Sequence, residues 1–264
     1  MNQVKIGIIG GTGIIGSGIA KFLLLHETSA DNLWICNRSQ KNLLCDNADM
    51  VNYTSDSQEL IDACDVVIIA VRPTDFANMV LRFNSQLLIS VMAGVTIEAL
   101  KERTQASSIV RAMPNAAVEI GKSFTPWYSR YLSFDHQLLV RYILSSSGDE
   151  YALSTELQLD YFTALTGSGQ GMLAAIAASM QESAVLAGVK PVLAEKAIRS
   201  LFSGIGQLIE HDDLSPIDRA SDCVDYAGTT AEGINGMRAS GLDKVIRNGI
   251  EQAYLKAQSN MMEK

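Results

Sequence analysis

Six of the twelve residues from Gly7 to Gly18, in the stretch GIIGGTGIIGSG, are glycines. Glycine weakens strands and helices alike, so such a cluster implies a backbone that takes an unusual dihedral or admits a close neighbour. The flanks say where it lies. Val4 to Ile9 is an apolar, β-branched run of strand length, and Ser17 to Leu25 carries apolar residues at helical spacing. The glycines therefore occupy a strand-to-helix turn. One register fits G-x-G-x-x-G, with Gly11 for the tight turn, Gly13 for close approach of a pyrophosphate and Gly16 for packing of helix on strand. Gly10 is one glycine more than that motif needs. The backbone N–H groups of Gly11, Thr12, Gly13, Ile14, Ile15 and Gly16, with the helix dipole behind them, are expected to face the anion.

A second apolar run, Asn32-Leu33-Trp34-Ile35-Cys36, leads into Asn37-Arg38-Ser39, at the distance downstream where such folds meet the adenosine ribose. An acidic side chain there would accept from a free 2′-hydroxyl, and none is present. Arg38, with Asn37 and Ser39 beside it, offers donors suited to a 2′-phosphate. The pattern predicts NADP(H) in preference to NAD(H); the plainer alternative is that Arg38 is a solvated surface charge. Further apolar runs end in Ala70-Val71-Arg72-Pro73, Met92-Ala93-Gly94-Val95 and Met113-Pro114-Asn115-Ala116. Ligands of open α/β sheets bind beyond the carboxyl ends of the strands. Ala70, Val71, Arg72, Pro73, Ala93, Gly94 and Asn115 are thus expected around the nicotinamide half of the cofactor.

These turns need strands and helices to hold them. Runs at 51–53, 65–71, 87–91 and 108–113 read as strands, with helices at 57–63 and 97–103 between them. Strands apolar on both faces, alternating with helices, predict a doubly wound, Rossmann-type parallel sheet. Beyond about residue 155 strand-like runs stop, and Ala, Gly, Ser and Met fill helical spacings from Asp160 to Gly188. The expected division is a dinucleotide-binding domain over 1–155 and an all-helical substrate and dimerisation domain over 156–264. Small residues at helical spacing let helices approach closely, as in the interface of a homodimer or higher homo-oligomer; a buried helix within one subunit is the plainer alternative.

With 264 residues, 47% of them hydrophobic and 19% charged, the chain can bury a sizeable core. Its net charge of −8 gives no basic footprint for nucleic acid and no attraction to an anionic membrane. From Thr163 to Gln181 nineteen residues carry no charge, long enough to raise a membrane span. Three glycines, two glutamines and two serines among them give little hydrophobic drive, so no membrane association is expected. The chain opens directly on a strand, and a cytoplasmic location is the expectation. Cys36, Cys45, Cys64 and Cys223 form no C-x-x-C pair and read as free thiols, and the three histidines stand apart from them, so no metal site is expected.

Taken together, the stretches resemble the pyrroline-5-carboxylate reductase family, which reduces a cyclic imine to proline with NAD(P)H. The resemblance rests on the first turn, Asn37-Arg38-Ser39, Arg72-Pro73 where the family usually has Lys-Pro, Ala93-Gly94-Val95, Arg111-Ala112-Met113-Pro114-Asn115, the stretch Asp160 to Gly169, Ala187-Gly188-Val189 and Gly228-Thr229-Thr230. It implies that Gly228, Thr229 and Thr230 hold the substrate carboxylate through backbone N–H groups, and that the Thr230 hydroxyl hydrogen-bonds the ring nitrogen. A plainer reading has these residues simply capping a helix, with threonine as the N-cap. Where the family commonly reads Ser-Pro-Gly-Gly-Thr-Thr, this chain has Asp225-Tyr226-Ala227-Gly228-Thr229-Thr230. Asp225 would repel a carboxylate and attract a protonated imine, which raises a different cyclic imine as the substrate; Gln170-Gly171-Met172 likewise replaces the usual Pro-Ala-Tyr. An NADP-binding homologue without catalysis is a further alternative. No tyrosine is followed by lysine four residues on, which excludes the short-chain dehydrogenase pattern.

Overall fold

A computed structural model describes residues 4–26, 28–38, 42–43 and 45–259. Runs of branched apolar residues form the central strands: β1 Ile6–Ile9, followed by α1 Ile14–Leu25; then β2 Leu33–Cys36, β3 Asn52–Thr54, α2 Ser57–Ala63, β4 Val66–Ile69 and α3 Pro73–Phe76. The alternation continues through β5 Leu87–Ser90, α4 Ile97–Thr104, β6 Ser108–Ala112, β7 Ser123–Tyr128, α5 Phe134–Ser145, β8 Gly148–Ala152 and α6 Glu156–Phe162. Successive strand side chains serve opposite faces. Ile6, Ile8, Val66, Ile68, Leu87 and Ile89 enter one buried cluster, while Ile9, Val67, Ile69 and Leu88 enter the other. Each such aliphatic side chain contributes about 1.5–3 kcal/mol on burial, which is why both faces of the sheet must be covered by helices.

The strands lie in the order β3-β2-β1-β4-β5-β6-β7-β8. The first six follow the doubly wound order, with a reversal of direction between β1 and β4. Within the described residues every pairing is parallel except β6 with β7. That antiparallel step, and β7 and β8 themselves, lie outside the strands expected from sequence. The physical reason is composition: SFTPWY and GDEYA mix polar residues, proline and glycine rather than forming a continuous apolar run.

By compactness the chain forms two units, residues 1–167 with 253–264, and residues 168–252. In the first, α6 packs on the sheet, with Phe162 placed 5.7 Å from Phe124 of β7 and Tyr161 edge-on to Tyr254. A π-helical turn, Thr163–Gly167, follows it. The second unit is wholly helical: α7 Gly169–Leu186, α8 Pro191–His211, α9 Pro216–Asp225, α10 Thr229–Ala239 and the greater part of α11 Leu242–Ser259. Its helices bury little of their apolar surface. None of the residues of α7 and α9 is buried, and Leu173, Leu186, Val192, Leu201, Ile217 and Val245 are all at least half exposed. Among the described residues no helix is long and apolar enough to cross a membrane, and no group of acidic, cysteine and histidine side chains is placed to hold a metal ion. The four cysteines are free, and burial pushes the Cys64 thiol up to about 12.

Candidate functional site

At the end of β1 the chain turns at Gly10, whose φ is +84°. A Cβ at Gly10 would stand 2.6 Å from the Ala70 carbonyl oxygen. The tight turn thus belongs to Gly10, one residue before the position read from the motif, because β4 brings that carbonyl against it. At Gly11 a Cβ would meet Ile35 Cδ1 at 2.8 Å, and at Gly16 it would meet the Gly10 carbonyl oxygen at 2.5 Å, so helix and turn touch through bare backbone. Gly13 differs from both. The nearest atom to its added Cβ is 3.4 Å away, and its exposed backbone is the N-cap of α1 with no side chain capping the helix. The first-turn N–H groups of Ile14, Ile15 and Gly16 have no intrahelical acceptor. A helix start left open in this way suits an anion.

Beside the turn, at the β1–β4 reversal, lies a cavity of about 380 Å³. It is lined by Gly10, Thr12 and Gly13 after β1, by Asn37 and Arg38 after β2, and by Ala70, Val71 and Arg72 after β4. Sequence reasoning had these residues on separate loops, and the topology brings them together. It missed Ser57, at the start of α2, and Asp75, in the short α3, which line the same cavity. No motif marks either; helix starts at the carboxyl edge of the sheet are the only sequence signal. Asp75 Oδ2 accepts from Arg38 Nη2 at 3.3 Å and from Arg72 Nε at 3.1 Å. Ser39, grouped with Arg38 in the sequence reading, lies outside the described residues.

Other expected cofactor residues stand apart from this cavity's lining. Ile14 is exposed, and Ile15 packs against the core. Pro73 occupies the first position of α3, where its missing N–H costs nothing. Ala93 and Gly94 form the half-buried turn after β5, with Gly94 at φ +74°. After β6, Asn115 Oδ1 accepts from the Ala117 N–H at 2.9 Å and caps the turn there.

Behind these loops sits a buried ionic network that the sequence reading did not single out. Arg111, fully buried on β6, donates from Nη1 to Glu156 Oε1 at 2.9 Å and from Nη2 to Asp160 Oδ1 at 3.3 Å. Its Nε has no partner among the described residues. The same Glu156 oxygen accepts from the Ile97 N–H at 2.8 Å. One carboxylate therefore ties the Arg111 strand to the start of α4, immediately after the Ala93–Gly94 turn. Burial raises the Asp160 carboxyl above the ordinary carboxylate range, against the pull of Arg111. The network ties α6 to β6 within the first compact unit. An arginine inside the apolar run Ser108 to Met113 is the signal that could have revealed it.

In the second unit, α9 ends at the exposed Asp225, and Ala227 takes φ +54° before α10 begins. An L-residue in this left-handed region costs roughly 1–2 kcal/mol. Gly228 is the N-cap of α10, again with no side-chain cap. Thr229 and Thr230 are its first two helical residues and both are exposed. Threonine as the N-cap is thus replaced by glycine, because Gly228 holds the extended dihedrals, φ −97° and ψ −162°, that precede the helix. The open N–H groups of this second helix start offer another place for an anion.

Comparison with known proteins places these features. Residues 156–260 match the family model for pyrroline-5-carboxylate reductase dimerisation, and residues 5–94 match that of NADP oxidoreductase, coenzyme F420-dependent. The chain is 26% identical to a pyrroline-5-carboxylate reductase of Synechocystis over 97% of its own length and 98% of the relative's. It is similar to the crystal structure of 1-pyrroline-5-carboxylate reductase from Streptococcus pyogenes, 26% identical with a TM-score of 0.81, covering 98% of this chain and 100% of that one. It shares its fold with the Plasmodium falciparum pyrroline carboxylate reductase solved with NADP bound, 24% identical, TM-score 0.82, with 99% of each chain covered. A doubly wound sheet, a helical segment that matches the dimerisation model and relatives aligned over the whole length make this chain similar throughout to the pyrroline-5-carboxylate reductases.

Proposed function

We propose that the protein is an NADP(H)-dependent reductase of a cyclic imine, acting on 1-pyrroline-5-carboxylate to give proline. The observation that carries this is the cavity at the β1–β4 reversal, opened by bare backbone at Gly10 and Gly13 and flanked by Arg38 and Arg72, in a chain similar throughout to these reductases. The fit to a dinucleotide is specific to the place. A Cβ is sterically excluded at Gly10, Gly11 and Gly16, yet at Gly13 only open space and the Gly10 carbonyl are met, as a pyrophosphate would require. NADPH, when bound, supplies the hydride that the C=N carbon accepts. Gly11, Thr12, Gly13, Ile14, Ile15 and Gly16 would hold the pyrophosphate, with Arg38 and Asn37 at the 2′-phosphate. Ala70, Val71, Pro73, Ala93, Gly94 and Asn115 would border the nicotinamide half, while Arg72, which shares Asp75 with Arg38, would join Arg38 at the 2′-phosphate instead. At the start of α10 the N–H groups of Thr229 and Thr230 would orient a substrate carboxylate, while the Thr230 hydroxyl would hold the ring nitrogen as it gains its proton. Such a reaction is accelerated chiefly by orientation.

The exposed apolar residues of α7, α8 and α11 support a second copy of this chain as the partner, the helical unit being a dimerisation domain. A second reading of the substrate is favoured by Asp225 and by the left-handed Ala227: a cyclic imine whose cationic ring nitrogen, rather than a carboxylate, meets the loop. The test follows NADPH absorbance with 1-pyrroline-5-carboxylate and with a panel of five- and six-membered cyclic imines. Proline-forming turnover supports the first reading and turnover on another imine alone supports the second, while nucleotide binding with no turnover refutes both. Thr230→Ala should lower kcat by about tenfold to a hundredfold with the loss of one oriented hydrogen bond, and unchanged kinetics remove Thr230 from the site. Asp225→Ser should raise activity on 1-pyrroline-5-carboxylate if the aspartate repels its carboxylate.

A further inference from the structure

The dinucleotide reading leaves one acidic residue unaccounted for in the middle of the basic group that is to receive the 2′-phosphate. Asp75 lines the cavity between Arg38 and Arg72, and a single oxygen, Oδ2, accepts from both guanidinium groups, at 3.3 and 3.1 Å. The two arginine side chains are 83% and 77% exposed, whereas that of Asp75 is 24% exposed. Exposed pairs of this kind contribute little and exchange readily. A phosphomonoester carries close to two charges near neutral pH and three terminal oxygens, so it can offer each guanidinium an oxygen of its own, where Asp75 must share one. The dianion is therefore the stronger partner for both arginines, yet it arrives beside a carboxylate that repels it.

We propose that Asp75 is a specificity-determining residue that stands in for the 2′-phosphate until a nucleotide binds. It keeps Arg38 and Arg72 converged on one point, and its charge lowers the preference for NADP(H) over NAD(H). With NAD(H), the same carboxylate is available to accept from a free 2′-hydroxyl, the role an acidic residue after β2 would otherwise fill. Arg72 matters to this arrangement because a guanidinium fork can engage two acceptors at once, which the ammonium of a lysine does less well. The inference rests on the dinucleotide reading above and goes further by assigning the balance between the two nucleotides to a residue outside the glycine motif.

The test is direct binding of NADP+ and NAD+ to the full-length protein by calorimetry, alongside KM for NADPH and NADH. Asp75→Asn keeps an acceptor for the arginines and removes the charge. It should tighten NADP+ by about fivefold, from loss of one like charge a few ångströms away in a solvated site, and leave NAD+ unchanged or weaker. Added salt should narrow that gap, since the groups are exposed. Arg72→Ala should weaken NADP+ while sparing NAD+. Unchanged or weaker NADP+ binding in Asp75→Asn overturns the proposal, as does an Arg72→Ala protein that binds NADP+ as the parent does. Failure of the underlying reading looks different: the parent protein itself then binds neither nucleotide.

Discussion

Replacing Arg111 with methionine keeps most of the side-chain volume and removes the charge that Glu156 and Asp160 share. Their situations differ. The Glu156 side chain is 21% exposed and can recover water, but that of Asp160 is 3% exposed and cannot. Breaking a buried ion pair from one side costs about 3–5 kcal/mol. With only one carboxylate fully stranded, the expected loss is near the lower end, about 3 kcal/mol. Asp160 also has an escape that depends on pH. Its folded-state pKa is already raised by burial, and losing Arg111 raises it further. A raised group contributes stability that is fully present below its unfolded pKa and is lost as pH rises through the folded value. The variant's deficit should therefore be largest at about pH 8 and shrink toward about pH 5 as Asp160 takes up a proton. Both tryptophans, Trp34 and Trp127, belong to the first compact unit. Urea unfolding followed by tryptophan fluorescence thus reports on the part that changes. Arg111→Met with Asp160→Leu should recover most of the loss, since an apolar pair of similar volume needs no hydration. A single variant within about 1 kcal/mol of the parent at the higher pH, or a deficit that grows on acidification, refutes the reasoning.

Two further outcomes follow from the geometry. Gly10→Ala places a Cβ against the Ala70 carbonyl at φ +84° and should cost about 2–4 kcal/mol, with nucleotide affinity falling in calorimetry; a stable variant that binds NADP+ normally contradicts the turn's role. Leu201→Glu, on the exposed apolar surface of α8, should shift sedimentation toward the monomer, and an unchanged oligomeric state removes that surface from the proposed interface.

The central strands were legible because burial on both faces leaves an uninterrupted apolar run, as in Val66–Ile69, and α2 was read with the ends it has, Ser57 and Ala63. β7 and β8 were not legible, since polar residues, with a proline in β7 and a glycine in β8, break up the apolar run in both, and β7 takes its place between β6 and β8 in spite of Pro126. Which of two adjacent glycines turns the chain depends on the Ala70 carbonyl, 60 residues away in sequence, so Gly10 and Gly11 exchange places between motif and structure. Ser57 and Asp75 reach the cavity by topology alone. α1 begins at Ile14, three residues before the apolar periodicity becomes visible at Ser17, because the glycines at 16 and 18 interrupt the apolar pattern over its first turns.

The claim on which the account turns is hydride transfer to a cyclic C=N carbon from a nicotinamide held at this turn. Incubation with NADPH fully deuterated at C4 and 1-pyrroline-5-carboxylate, followed by mass spectrometry of the product, measures it directly. The account predicts proline carrying one deuterium at the former imine carbon. Proline without the label, or NADPH left unconsumed with this imine and with every other cyclic imine offered, contradicts it.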